Sequence, residues 1–188
     1  RGKHARMCGV GSGRNARRNR LRDWFCSTYM ACAGLPALTE QHVPQWDVVV
    51  DQESGAVEEA VLDVATSDSR TGLPLYLDVT VTSAFSTNPV RLGARARGDG
   101  RAAADAAAMK RRRYPAAGAS LVPLAFEAGG RPSESTAGFM RQMGAAWAES
   151  NASETGEPPV PITGVLWQQV SSLLQLGNAE RLLSANGR

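Results

Sequence analysis

Leu75-Tyr76-Leu77-Asp78-Val79-Thr80-Val81-Thr82 is the stretch that decides the fold of this chain. Its β-branched and apolar residues read as a buried strand, and it carries one carboxylate. Burying a carboxylate costs roughly several kcal/mol unless a metal, a cation or solvent compensates it. Asp78 therefore calls for a partner.

Upstream, Trp46-Asp47-Val48-Val49-Val50 reads as a first strand and Val57 to Thr66 as a second, centred on Val61, Leu62 and Val64. Before them, Leu21, Trp24, Phe25, Tyr29 and Cys32 recur at helical spacing between Arg17 and Ala33. Gly34 and Pro36 end that helix. Downstream, Ser83 to Gly100 reads as a long connection. Arg101 to Arg113 is Ala-rich and helical, and Ser120 to Glu127 is a strand whose Pro123 suits an edge or a bulge. Ser133 to Glu149 is a helix capped near Ser133, with Phe139, Met140, Met143 and Trp147 on its apolar face. A polar, Pro-rich linker over 150–163 leads to a last helix, 164–188, expected to break near Gly177. Trp24, Trp147 and Trp167 are read as core.

The order is helix, three strands, helix, strand, helix, helix. Three consecutive strands can form an antiparallel meander, and the crossover helix would deliver the fourth strand parallel to 75–82. The expected class is α/β, a mixed sheet flanked by helices, with segment 1–15 ahead of a core over 16–149.

The chain has 188 residues, 43% of them hydrophobic, and a formal charge of +3. That suits one domain with a real core. The charge is uneven. Arg14, Arg17, Arg18, Arg20 and Arg22 cluster near the start, and Arg91 to Arg113 hold a second basic region, the footprint of a polyanion partner. No apolar run is long enough for a membrane helix, and no secretory h-region follows the basic start. The expectation is a nuclear or other intracellular protein with no membrane partner, processed or drawn from a longer chain because it opens on Arg1. Three cysteines, Cys8, Cys26 and Cys32, make an odd set that argues against a disulfide framework, and Cys26 and Cys32 read as core thiols. Asn151-Ala152-Ser153 is read as a chance sequon.

Asp47, Asp63 and Asp78 all lie in or beside strands. Carboxylates on paired strands can converge on a hard cation such as Mg²⁺, and a nearby lysine can stabilise developing charge on a phosphodiester. Lys110 is the one Lys besides Lys3. Glu40, Arg113, Tyr114 and Glu127 are further residues within possible reach, and His42 reads as a loop residue without a partner.

In this order, the sequence resembles the PD-(D/E)XK restriction-like endonuclease core, and more narrowly the endonuclease domain at the C-terminus of some non-LTR retrotransposon polyproteins. His4-Ala5-Arg6-Met7-Cys8 resembles the last two ligands of a zinc knuckle. Arg17-Arg18-Asn19-Arg20-Leu21-Arg22-Asp23 resembles the start of the family's first helix, and Trp46-Asp47 stands at its Pro-Asp position. Leu77-Asp78-Val79-Thr80 followed by Lys110 to Tyr114 resembles the Asp-strand and its displaced lysine, and Val122 to Glu127 fits the next strand. Trp46 replaces the Pro, Thr80 stands where a lysine would follow the Asp, Arg113 replaces a second Lys, and Arg18 replaces a His. The resemblance implies an αβββαβ core plus C-terminal helices. It implies a DNA endonuclease with Asp47 and Asp78 holding Mg²⁺ (or Mn²⁺), assisted by Lys110, with Glu40, Asp63, Arg113 and Tyr114 as additional candidates. Arg17, Arg18, Arg20, Arg111 and Arg112 would contact DNA or RNA–DNA intermediates. His4 and Cys8 would be an incomplete Zn²⁺ site, filled only in a parent polyprotein that also carries reverse transcriptase. The alternative is a catalytically inactive nucleic-acid-binding remnant of the same fold.

Overall fold

In the computed structural model, the described residues are 12–51, 55–85, 88–156, 158–160 and 162–186. His4 and Cys8, and with them the zinc-knuckle reading, lie outside the described residues. The chain is α/β, with a mixed four-stranded sheet flanked by helices.

Helix α1, Ser12–Ala33, opens the described chain. Gly34 ends it in the left-handed region (φ 65°), donating its N–H to Met30 O at 3.0 Å. Strand β1, Leu38–His42, follows. A 3-10 turn, Pro44–Trp46, leads into a hairpin of β2, Val48–Asp51, and β3, Ala56–Glu58. Then come β4, Val61–Ser67, and β5, Pro74–Thr82. Helices α2, Pro89–Ala96, and α3, Arg101–Arg113, precede β6, Leu121–Glu127. Helices α4, Glu134–Thr155, and α5, Thr163–Asn186, complete it.

The main sheet has the order β1-β4-β5-β6. Strands β1, β4 and β5 are antiparallel neighbours, and β6 runs parallel to β5 from Tyr76↔Leu121 to Thr82↔Glu127. Residue alternation along the strands assigns the two faces. Leu75, Leu77 and Val79 of β5, with Leu124 and Phe126 of β6, join Leu21, Phe25, Phe139, Met140 and Leu174 in the main core under α1, α4 and α5. On the opposite face, Ala125 meets Ala103 and Ala107 of α3. A second core, with Trp46, Leu62, Tyr114 and Leu121, lies under the 3-10 turn.

Local chemistry explains the element ends. Ser133 caps α4 by accepting the N–H of Thr136 at 3.3 Å, and Gly156 ends it at φ 72°. Pro123 is tolerated because β6 is an edge strand, and Thr136 and Ser133 bond the Ala125 backbone on that edge. Glu127 accepts the N–H of Ala102 at 3.0 Å, so it caps α3 and places a negative charge at that helix's positive end. The basic run Lys110 to Arg113 occupies the last turn, where cations are favoured.

Four expectations are corrected. The first strand of the sheet is Leu38–His42, a polar segment with an exposed–half-buried alternation that hides its strand character. The apolar Val48–Val50 run forms instead a separate two-stranded hairpin whose Val49 and Val50 are more than half exposed. The connection 83–100 contains helix α2. Helix α4 runs on to Thr155, which shortens the linker, and α5 continues through Gly177 unbroken. No described helix is long and apolar enough to cross a membrane.

Candidate functional site

The site begins where β4 parts from β5. Their ladder ends at Val64↔Leu77, while β4 residues Val61 and Leu62 pair on with β1 alone. The split leaves the second half of β5 without a backbone neighbour on that side. Asp63 fills part of the gap: its Oδ2 accepts the N–H of Val79 at 2.7 Å, standing in for a ladder carbonyl.

Asp63 and Asp78 are 1% and 2% exposed. Each buried carboxylate meets a cation from a different helix. Arg18 of α1 grips Asp63 with two parallel bonds, Nη2 to Oδ1 at 2.5 Å and Nε to Oδ2 at 3.1 Å. Lys110 of α3 reaches Asp78, with Nζ 2.9 Å from Oδ1 and 2.8 Å from Oδ2. A two-pronged guanidinium grip fixes direction as well as charge, whereas an ammonium is a movable point charge.

Burial pushes the Asp63 carboxyl up to about 6. Arg18 opposes that rise, the Asp78 charge adds to it, and the Val79 N–H and Lys110 oppose it more weakly. Desolvation thus outweighs even a two-pronged ion pair. The two acids belong to one electrostatic unit with Lys110 and Arg18.

Asp47 stands elsewhere. It lies between the 3-10 turn and β2, and β2 is outside the sheet that carries Asp78, so the two are not on paired strands. Its carboxylate accepts the N–H of Ala60 at 2.7 Å and meets His42 Nε2 at 2.9 Å. Those contacts hold Asp47 below the usual carboxylate range, the Ala60 bond foremost, and they fasten the hairpin to the end of β1. His42 therefore has a partner after all.

The other candidates divide. Glu40 is exposed and pairs with Arg22. Its φ of 54° is a left-handed conformation uncommon outside glycine, and it sits level with Asp63, between the pairs Thr39↔Val64 and Gln41↔Leu62. Arg113 bonds Glu58 at 2.7 Å and lies over the Tyr114 ring. Tyr114 is buried against Trp46, which pushes its hydroxyl up. Of the arginines expected on DNA, Arg17 is buried against α5 and bonds Asn178, and Arg20 pairs with Glu180 at 2.5 Å. Arg18 faces Asp63. Arg111 and Arg112 stay exposed on the last turn of α3.

Two hard oxygen donors, Asp63 and Asp78, suit a divalent cation that keeps several waters. Among the described residues, no group of three or more His, Cys, Asp or Glu gathers to hold a metal. The carboxylate pair offers a partial ligand set that a cation would share with solvent, after displacing Lys110 and Arg18 from it.

No protein-family model, curated protein or solved structure matches this chain.

Proposed function

We propose that the chain is a metal-dependent nuclease domain of the restriction-like type, acting on phosphodiester bonds in DNA. The observation that carries this reading is the meeting of Asp63 and Asp78 with Lys110 where β4 and β5 separate, below an Arg-bearing helix end. Antiparallel β1, β4 and β5, a crossover through α3 and a parallel β6 support this reading. In this reading Asp63 replaces Asp47 as the companion of Asp78.

Asp63 and Asp78 would hold Mg²⁺ or Mn²⁺, which when bound supplies Lewis acidity and a more acidic water. Lys110, released from Asp78, holds positive charge beside the transferring phosphoryl group. Arg18, released from Asp63, is placed to take a phosphate oxygen with the same two-pronged geometry. Arg111 and Arg112 anchor neighbouring phosphates without reading sequence.

One observation favours a second reading. Arg18 satisfies both oxygens of Asp63, a closed arrangement that a nucleic-acid-binding protein without cleavage would retain. The experiment is nicking of supercoiled plasmid with Mg²⁺ or Mn²⁺, comparing wild type with Asp78→Asn. Metal-dependent nicking that Asp78→Asn removes is the expected result. Nicking that survives Asp78→Asn sinks the assignment. Salt-sensitive DNA binding with no nicking by wild type establishes the second reading.

A further inference from the structure

We propose that the groove running from Lys110 toward the end of β5 receives an unpaired nucleotide, so that the substrate is nucleic acid with a single-stranded segment. The inference rests on the nuclease reading above and specifies its substrate.

The groove is a cavity of about 420 Å³, within the range of sites that hold small ligands. One wall is β5, where Thr80 and Thr82 alternate onto the same face as Asp78. The other wall is α3, where Ala106, Met109, Lys110 and Arg113 recur at helical spacing. The walls differ in chemistry along their length. Ala106 and Met109 make an apolar floor on the α3 side, while Lys110 and Arg113 mark one end with positive charge. A duplex backbone needs only the charge. An apolar floor beside it suits the flat face of a base that has left its stack.

Two exposed residues point the same way. Met109 is 62% exposed although it lines the groove, and a thioether makes favourable contacts with aromatic rings. Phe85 is 84% exposed. Its N–H is held at 3.1 Å by the Oγ of Ser83, the groove's far lining residue. An aromatic ring left in water just past the end of a basic groove is the arrangement on which bases stack.

The charges around the groove favour a polyanion. Its acidic neighbours each have a cation: Asp78 has Lys110, Glu58 has Arg113 and Asp105 has Arg95. Arg111 and Arg112 add exposed positive charge on the same helix. The groove also starts at the Asp78–Lys110 pair, so a nucleotide in it would lie next to the proposed reaction centre.

The test compares binding of three labelled DNAs to the full chain by fluorescence anisotropy, without divalent metal: a blunt duplex, the same duplex with a single-stranded overhang, and the single strand. The overhang duplex is expected to bind about tenfold tighter than the blunt one, roughly what one stacked base contributes. Phe85→Ala and Met109→Ala are each expected to erase that difference while leaving blunt-duplex binding within about twofold. Equal binding of blunt and overhang duplexes by wild type overturns the inference, as does a preference that survives both substitutions. Both positions are exposed, so folding is not at stake. Metal-dependent nicking measured in parallel separates the two claims: a nuclease indifferent to overhangs refutes this inference and spares the nuclease reading.

Discussion

Arg17 of α1 lies across Gly177 of α5, so closely that a methyl group added at Gly177 would collide with the Arg17 side chain. The next residue, Asn178, accepts from the Arg17 guanidinium and donates to Ala128 O at 2.8 Å. One glycine thus lets α5 approach the N-terminal half of α1 and tie it to the end of β6. Arg18 follows Arg17 directly, so this seat also orients the residue that grips Asp63. Gly177→Ala should overpack the contact and destabilise the protein by about 1–3 kcal/mol. In thermal unfolding that is a Tm loss of several degrees for a chain of this size. Arg17→Ala in the same chain should recover part of the loss, because it removes the colliding atoms. Additive losses in the double variant would refute the steric account.

Asp63 gives stability an unusual pH slope. Its carboxyl titrates near 6 when folded and near the ordinary value of about 3.9 when unfolded. The folded state therefore binds the extra proton between those values, and this group's contribution falls as pH rises from about 4 to about 6, then levels. Asp47, Asp68 and Glu180, all held below their usual values, slope the other way at lower pH. The difference between wild type and Asp63→Asn isolates the effect. Denaturant titrations from pH 4 to 7 should show Asp63→Asn gaining on wild type as pH rises. A constant difference would show that burial does not raise this carboxyl.

Lys110 and Asp78 form a pair in which the carboxylate is the more deeply buried partner. Removing the lysine leaves the buried Asp78 carboxyl without its cation, so Lys110→Ala should cost about 3–5 kcal/mol. Lys110→Ala with Asp78→Leu should regain most of it, since position 78 then holds no carboxyl that needs a cation. Lys110→Arg should keep stability and lose nicking, because a planar guanidinium does not reproduce an ammonium at a fixed point. Urea denaturation and the nicking assay, run on the same preparations, read the two effects separately.

Much of this was legible in the chain. The run Leu75 to Thr82 announced a buried strand, and Glu127 and Lys110 fell on the predicted β6 and α3. What misled was the Val48–Val50 run. Its β-branched residues have strand character, and they do form a strand, but in a hairpin that pairs only with itself. Leu38–His42 took the sheet position instead, and a strand with two polar neighbours of opposite exposure carries little signal. Asp63 was visible as a strand residue. Its importance was hidden because the parting of β4 from β5, which buries it beside Asp78, is a long-range event that no local pattern encodes. Burial of Arg17 was hidden likewise, since it depends on a glycine 160 positions away.

Relocating the second acid from Asp47 to Asp63 is itself testable. Asp47 fastens a hairpin through Ala60 and His42, and that hairpin lies outside the sheet that carries Asp78. Asp47→Asn keeps an oxygen for the Ala60 N–H, so it should leave metal-dependent nicking within about twofold of wild type, while Asp63→Asn should abolish it. The loss in Asp63→Asn should come without unfolding, because an Asn oxygen can still accept the Val79 N–H and Arg18, already 37% exposed, can turn to solvent. Circular dichroism checks the fold of both variants. If Asp47→Asn is dead and Asp63→Asn retains nicking, the cleft between β4 and β5 is not the reaction centre, and the hairpin would have to move onto the sheet during catalysis.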